Sequence, residues 1–178
     1  MFLNSPPPPY KSTDPPKKEQ FLNRIYRVRD TFGANCYKIK DQSNRPIFLV
    51  RRKTFTLYKN FVLEDMNGKP VIKIKKDKNH FTNIFNVTLA ATGQNLGRFK
   101  HKFKFFKDKL LINSVYGEYV VNGDSFVYTI SKNGQNVAVI KKRIFSLGSK
   151  YVVEIIPSED QTFILAAVIV IDQIFHKT

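Results

Sequence analysis

The chain is poor in cysteine, tryptophan and acid. Its 178 residues include one Cys and no Trp, and 14 Asp+Glu stand against 30 Lys+Arg. The lone Cys36 cannot form an intramolecular disulfide or a Cys-built zinc site, and it suits a reducing compartment. The opening MFLNSPPPPY lacks a basic segment followed by a long apolar run, so no signal peptide is expected. Histidine is sparse: His80, His101 and His176 lie far apart, with no HExxH, GxSxG or phosphate-loop pattern. Asp41, Asp65 and Asp124 stand beside expected turns, where Asp is structurally favoured. Catalysis is therefore not expected, nor any cofactor. Glu154, Glu159 and Asp160 form an acidic neighbourhood, but calcium wants roughly six to eight oxygens and no EF-hand-like loop supplies them.

What is plentiful is positive charge and apolar bulk. A formal net charge of +16 points to anionic partners: lipid headgroups, nucleic acid or an acidic protein. Hydrophobic residues at 42% and aromatics at 13% exclude a chain disordered throughout. The length suits one domain, since domains cluster at about 100–150 residues. Residues 1–20 stand apart as a tail with six of the nine prolines, expected to be extended because proline fixes φ and lacks an N–H. Within it Pro7, Pro8, Pro9 and Tyr10 have the PPxY form that WW domains dock, which makes Pro7, Pro8 and Tyr10 candidate partner-binding residues.

From Phe21 to Ile156 the pattern is β, with short apolar runs broken at Asn, Gly and Asp. One local pattern recurs around Asn44, Gly68, Gly93 and Gly134: NRPIFLVRRK, GKPVIKIKKD, GQNLGRFKHK and GQNVAVIKKR. Counting the Asn or Gly as zero, position three is apolar in each copy (Ile47, Val71, Leu96, Val137), and so is position six (Val50, Ile74, Phe99, Ile140). Positions four and six share a face by the two-residue period, while position five is mixed. The zero position supplies the φ > 0 that a tight turn demands. Repeated antiparallel hairpins dispose of their edges by closing into a barrel.

The segment after Pro157 departs from this. SEDQTFILAAVIVIDQIFHKT predicts a helix over about 159–176, with Ser158 and Gln161 spaced as a capping box. Glu159 and Asp160 complement the positive end of its dipole, and Lys177 the other. Phe163 to Ile171 are nine consecutive apolar residues, so the helix is either swallowed by a core or inserted in a bilayer. At 1.5 Å per residue, Phe163–Phe175 spans about 20 Å against a hydrocarbon core of about 30 Å. Asp172 lies inside the stretch, and lipid would charge it several kcal/mol. A helix wrapped by strands is the expectation, and Ala166 and Ala167 suit close approach.

YVVEIIPSEDQTFILAAVIVIDQIFH (151–176) resembles the closing motif of the LURP-one-related proteins, in the tubby C-terminal-like superfamily that also holds the phospholipid scramblases. KKRIFSLGSKYVVEI (141–155), FKHKFKFFKDKLLINSVYGEYVVNGD (99–124) and the repeated turns are similar to that family too, over about residues 22–176. The resemblance implies a mainly β fold: about twelve antiparallel strands closed around one hydrophobic C-terminal helix. Tubby domains bind phosphoinositides and scramblases are associated with lipid movement between leaflets, so the functions the resemblance implies are diverse, and kinship of fold does not choose among them. Scramblases carry a cysteine cluster where this chain has only Cys36, and their acidic spacing differs from that of Glu154, Glu159 and Asp160.

The basic doublets at positions seven and eight are the leading candidate site. Closure would gather Arg51, Arg52, Lys53, Lys75, Lys76, Lys100, Lys102, Lys141, Lys142 and Arg143 toward a common rim able to meet anionic phospholipid or phosphoinositide. Phe103, Phe105 and Phe106, interleaved as KFKFFK, offer apolar anchorage or one strand's core residues. The expectation is a non-enzymatic, monomeric binding module, cytoplasmic and peripheral at a membrane, or nuclear. The alternatives are a scramblase-like membrane protein anchored by the C-terminal helix and a nucleic-acid binder, although no RNA- or DNA-binding signature is present.

Overall fold

The computed structural model describes residues 23–31, 36–53, 59–78, 83–102, 109–145 and 148–176. Twelve strands follow one another: β1 (Arg24–Thr31), β2 (Cys36–Lys40), β3 (Pro46–Arg52), β4 (Asn60–Asp65), β5 (Pro70–Lys76), β6 (Ile84–Leu89), β7 (Asn95–Lys102), β8 (Lys109–Ser114), β9 (Gly117–Gly123), β10 (Val127–Lys132), β11 (Gln135–Phe145) and β12 (Gly148–Ile155). Each pairs antiparallel with its sequence neighbours, and β1 pairs with β12, so the sheet closes in chain order. A single helix, α1 (Gln161–Phe175), follows and runs through the middle. The expected architecture is the observed one.

The turn residues behave as the repeat requires. Asn44, Gly68, Gly93 and Gly134 all have positive φ, between 62° and 79°. Just after each of these turns the ladder slips by one residue: Lys40 pairs with Pro46 but Ile39 with Phe48, and the same shift recurs opposite Val71, Leu96 and Val137. Position three is therefore the bulged residue of every copy. A bulge breaks the two-residue alternation and sharpens the local twist, which is why positions three and four can both be apolar. Leu96 and Val137 are buried, and Ile47 and Val71 pack against the core.

All the odd strands run the same way, from the end bearing these turns (the top) to the opposite end (the bottom). α1 enters at the top. Asp160, not Ser158, is its N-cap, and accepts the Phe163 N–H through Oδ1 at 2.8 Å. Gln161 does not reach back as a capping box would; its amide donates to the carbonyls of Ile156 and Glu159. The Asp160 carboxylate, one residue before the helix, stands at the position from which a side-chain oxygen meets the free N–H.

Every residue from Phe163 to Ile174 is buried, each large apolar side chain contributing about 1.5–3 kcal/mol. Phe163 fixes the top, with ring centroids 5.7 Å from Phe99, 5.1 Å from Tyr116 and 6.0 Å from Tyr119. Phe175 fixes the bottom, stacked 5.3 Å from Tyr128 and edge-on to His101 at 5.2 Å. Among the described residues no helix is long and apolar enough to cross a membrane, and this one is already enclosed by strands. The outer wall carries Arg27, Lys38, Lys73 and Arg98 along its strands, where a bilayer-spanning barrel needs an apolar band.

Asp172 is fully buried. Its two carboxylate oxygens accept hydroxyls from the two strands that flank β1, Oδ2 from Tyr37 on β2 and Oδ1 from Tyr151 on β12. The Tyr37 oxygen in turn accepts the Gln173 amide at 2.6 Å. A buried carboxylate is tolerated only with such charge-assisted donors. Burial and the Asp172 charge push the Tyr37 hydroxyl far above its usual range, and burial with Glu159 does the same to Tyr119.

Two outcomes are expected. A Cβ at Gly97 would lie 3.0 Å from Phe163 Cζ and from Ser114 Cβ, so Gly97→Ala should lower stability by about 1–3 kcal/mol in urea unfolding. In the folded state Tyr37 and Tyr119 hold their protons beyond pH 10, the ordinary value at which unfolded tyrosines release them. Stability is therefore whole below pH 10 and falls as pH climbs past it. Tyr37→Phe should cost about 1–3 kcal/mol at neutral pH and soften that alkaline loss, read from denaturation midpoints on either side of pH 10.

Candidate functional site

Strand direction brings the doublets to one end and then divides them. Position eight has the parity of the buried positions four and six, so Arg52, Lys76, His101 and Lys142 face inward at the bottom mouth, around the C-terminal end of α1. Cations there complement the negative end of the helix dipole. Lys142 is close enough that its charge, after burial, helps hold the His176 imidazole below its usual value, against Asp172. His176 caps the helix, with its N–H donated to the Asp172 carbonyl at 3.1 Å and its ring against the Tyr128 hydroxyl. Position seven faces outward. Arg51 pairs with Glu64 at 3.0 Å and Lys141 with Glu154 at 3.4 Å. Lys53 follows the end of β3 with its N–H donated to the Asn60 carbonyl.

Around the ring these residues are dispersed on β3, β5, β7 and β11. Lys100 and Lys102 join Arg98 beside a shallow depression of about 520 Å³ over Leu111 and Val120, with Glu118 opposing them. Lys75 lies between Asn60 and Asn86 on the neighbouring strands.

Lys141 and Arg143 have different company. In register across four strands, Lys38 on β2 stands opposite Arg29 on β1, Arg29 opposite Lys150 on β12, and Lys150 opposite Arg143 on β11. The next outward row reads Lys40, Arg27, Val152 and Lys141. Directly opposed outward side chains have Cβ atoms about 4.5–5.5 Å apart, and like charges there are destabilising. Arg27, Arg29, Lys38, Lys40, Arg143 and Lys150 line a cavity of about 590 Å³ in this wall. Arg27 is steadied by the carbonyls of Asp41 and Gln42 at 3.2 and 3.1 Å. Asp30, also in the lining, has the parity of the inner face, and its charge bears on Tyr37. The signal for Arg27, Arg29, Lys38 and Lys40 was present as the alternations Tyr26-Arg27-Val28-Arg29 and Tyr37-Lys38-Ile39-Lys40. It precedes the first repeat, so a search for doublets passes over it.

A family model described as LURP-one-related matches residues 25–172. The chain belongs to the LURP-one-related family. An X-ray structure of an Arabidopsis thaliana protein is similar to this LURP-one-related chain at 17% identity, with a TM-score of 0.65 over 86% of this chain and 94% of that one. That likeness concerns the fold. No curated protein matches. The LURP-one-related family and its tubby-like barrel support a non-enzymatic binding module at the level of the family.

The acidic residues of this LURP-one-related barrel have structural employment. Glu159 accepts the Tyr119 hydroxyl at 2.5 Å and pairs with Lys132 at 3.2 Å, while Asp160 accepts Tyr116 at 3.0 Å besides capping α1. Among the described residues no three His, Cys, Asp or Glu are grouped to hold a metal. Pro7, Pro8, Tyr10, His80, Phe103, Phe105 and Phe106 lie outside the described residues, as does the side chain of Cys36.

Like charges directly opposed across strands are destabilising, and salt screens the effect. Arg29→Gln relieves repulsion from both Lys38 and Lys150, and should raise stability by about 0.2–1 kcal/mol at low salt. The gain should shrink at high salt, where exposed charges are screened. Paired unfolding curves at two ionic strengths check this.

Proposed function

We propose that the protein docks on anionic phospholipid surfaces, phosphoinositide headgroups included, through the outer wall of β11, β12, β1 and β2. The observation that carries this reading is the row Lys38, Arg29, Lys150 and Arg143, cations set directly opposite one another on four successive strands. Such an arrangement works against the fold, and an anionic ligand across it turns the repulsion into attraction. Each Lys or Arg held near an anionic leaflet is worth on the order of 1 kcal/mol. With Arg27 and Lys40 beside the row, six such residues give useful affinity that falls with salt. The inward half of each doublet has another task, facing the helix terminus, so the wall and not the whole rim is the binding surface. A duplex or single strand of nucleic acid would meet the same cations, but among the described residues of β11, β12, β1 and β2 themselves no aromatic is exposed for bases to stack on.

Flotation with neutral, phosphatidylserine-containing and phosphoinositide-containing vesicles tests the proposal. The protein should float only with anionic lipid. Arg29→Glu with Lys150→Glu should abolish flotation, and Lys141→Glu with Lys142→Glu should weaken it. Lys100→Glu with Lys102→Glu, on the far side of the barrel, should leave it unchanged. Equal flotation on neutral lipid, or loss only with the far-side pair, would overturn the reading.

A further inference from the structure

Met66, Val115, Phe126 and Val127 are the exposed large apolar side chains among the described residues, and two of them are adjacent. Met66 and Val115 sit on top turns. Phe126 and Val127, 55% and 42% exposed, lie at the bottom, where β9 turns into β10.

This turn is held firmly. Asp124 Oδ1 accepts the N–H groups of Phe126 at 2.8 Å and Val127 at 2.9 Å, and the Asp124 N–H donates to the Val127 carbonyl at 3.0 Å. Those bonds hold the Asp124 carboxyl below its usual range. The Phe126 carbonyl accepts the Lys142 N–H at 2.6 Å. A Cβ on Gly123 would fall 2.4 Å from the Val127 carbonyl oxygen, so only glycine permits so close a return. A rigid turn that keeps a phenyl ring in water, instead of letting it fold down, is the form of an anchor that keeps its shape.

The turn is also continuous with the basic wall. Val127 stands opposite Lys141, so the outward row Lys40, Arg27, Val152, Lys141 ends in Val127 on the fifth strand. Phe126 comes next, at the mouth beside Lys142. Cations leading to a projecting aromatic match the layering of an anionic membrane surface, charged outside and apolar beneath.

Resting on the lipid reading above, we propose that the Phe126–Val127 turn is the membrane-inserting wedge of this protein. The wall is drawn to the headgroups, and the barrel tips its bottom edge so that Phe126 enters the acyl boundary. The ligand of the turn is the bilayer interior and not a soluble headgroup.

Because the chain has no Trp, Phe126→Trp places a single indole on the turn of the otherwise intact protein. With phosphatidylserine-containing vesicles its emission should move to shorter wavelength and be quenched by brominated acyl chains. Soluble inositol phosphates should produce neither effect. Phe126→Asp should bind those vesicles about ten- to a hundredfold more weakly, with an unchanged thermal unfolding midpoint. Val127→Trp gives the same readout if Phe126→Trp fails to fold. Flotation without an emission shift in either variant overturns the wedge and leaves headgroup docking standing. A shift that follows protein concentration without vesicles also overturns it, in favour of self-association. Failure of the unsubstituted protein to float on anionic vesicles overturns the lipid reading itself.

Discussion

A helix apolar on every face has to be surrounded, and that requirement organises everything else in this protein. An amphipathic helix can lie on one face of an open sheet, but α1 has no face to spare for water. Twelve strands in sequence order are the means by which the chain surrounds it, and closure also removes both sheet edges. The interior dimensions then follow from individual contacts. Phe163 requires Gly97 opposite it, Phe175 requires Tyr128 and His101, and the bulges at position three bend each hairpin round the axis.

The buried carboxylate refines this picture. Asp172 is tied to β2 and β12 by hydroxyls from Tyr37 and Tyr151, flanking β1 on either side. An apolar helix in an apolar tube has little to fix its rotation or depth. Two donors aimed at one carboxylate supply that register, because any turn of the helix leaves a charge without its partners.

Much of this could be read from residues alone. Nine consecutive apolar residues followed by an acid, in a stretch too short to cross a bilayer, identified a swallowed helix. Positive φ at the four turn centres followed from Asn and Gly. Position three was recognised as apolar, yet its meaning as a bulge was hidden, because alternation has no place for an extra residue. The partners of Asp172 were hidden for another reason: Tyr37 lies 135 residues away in sequence, and no local period links them. The basic doublets were visible as a repeat, but whether a cation faces wall or mouth is decided by parity. Cross-strand rows such as Lys38, Arg29, Lys150 and Arg143 exist only after pairing.

That pairing has a temporal side. The charged wall is assembled from residues 27–40 and 141–152, the two shores of the seam at which β1 meets β12. During synthesis the first half of the surface emerges long before its complement, and long-range pairings of this kind form late. A chain halted before β12, or opened along the seam, carries the same net positive character without the ordered rows. The ordered rows of cations are thus a mark of completed folding.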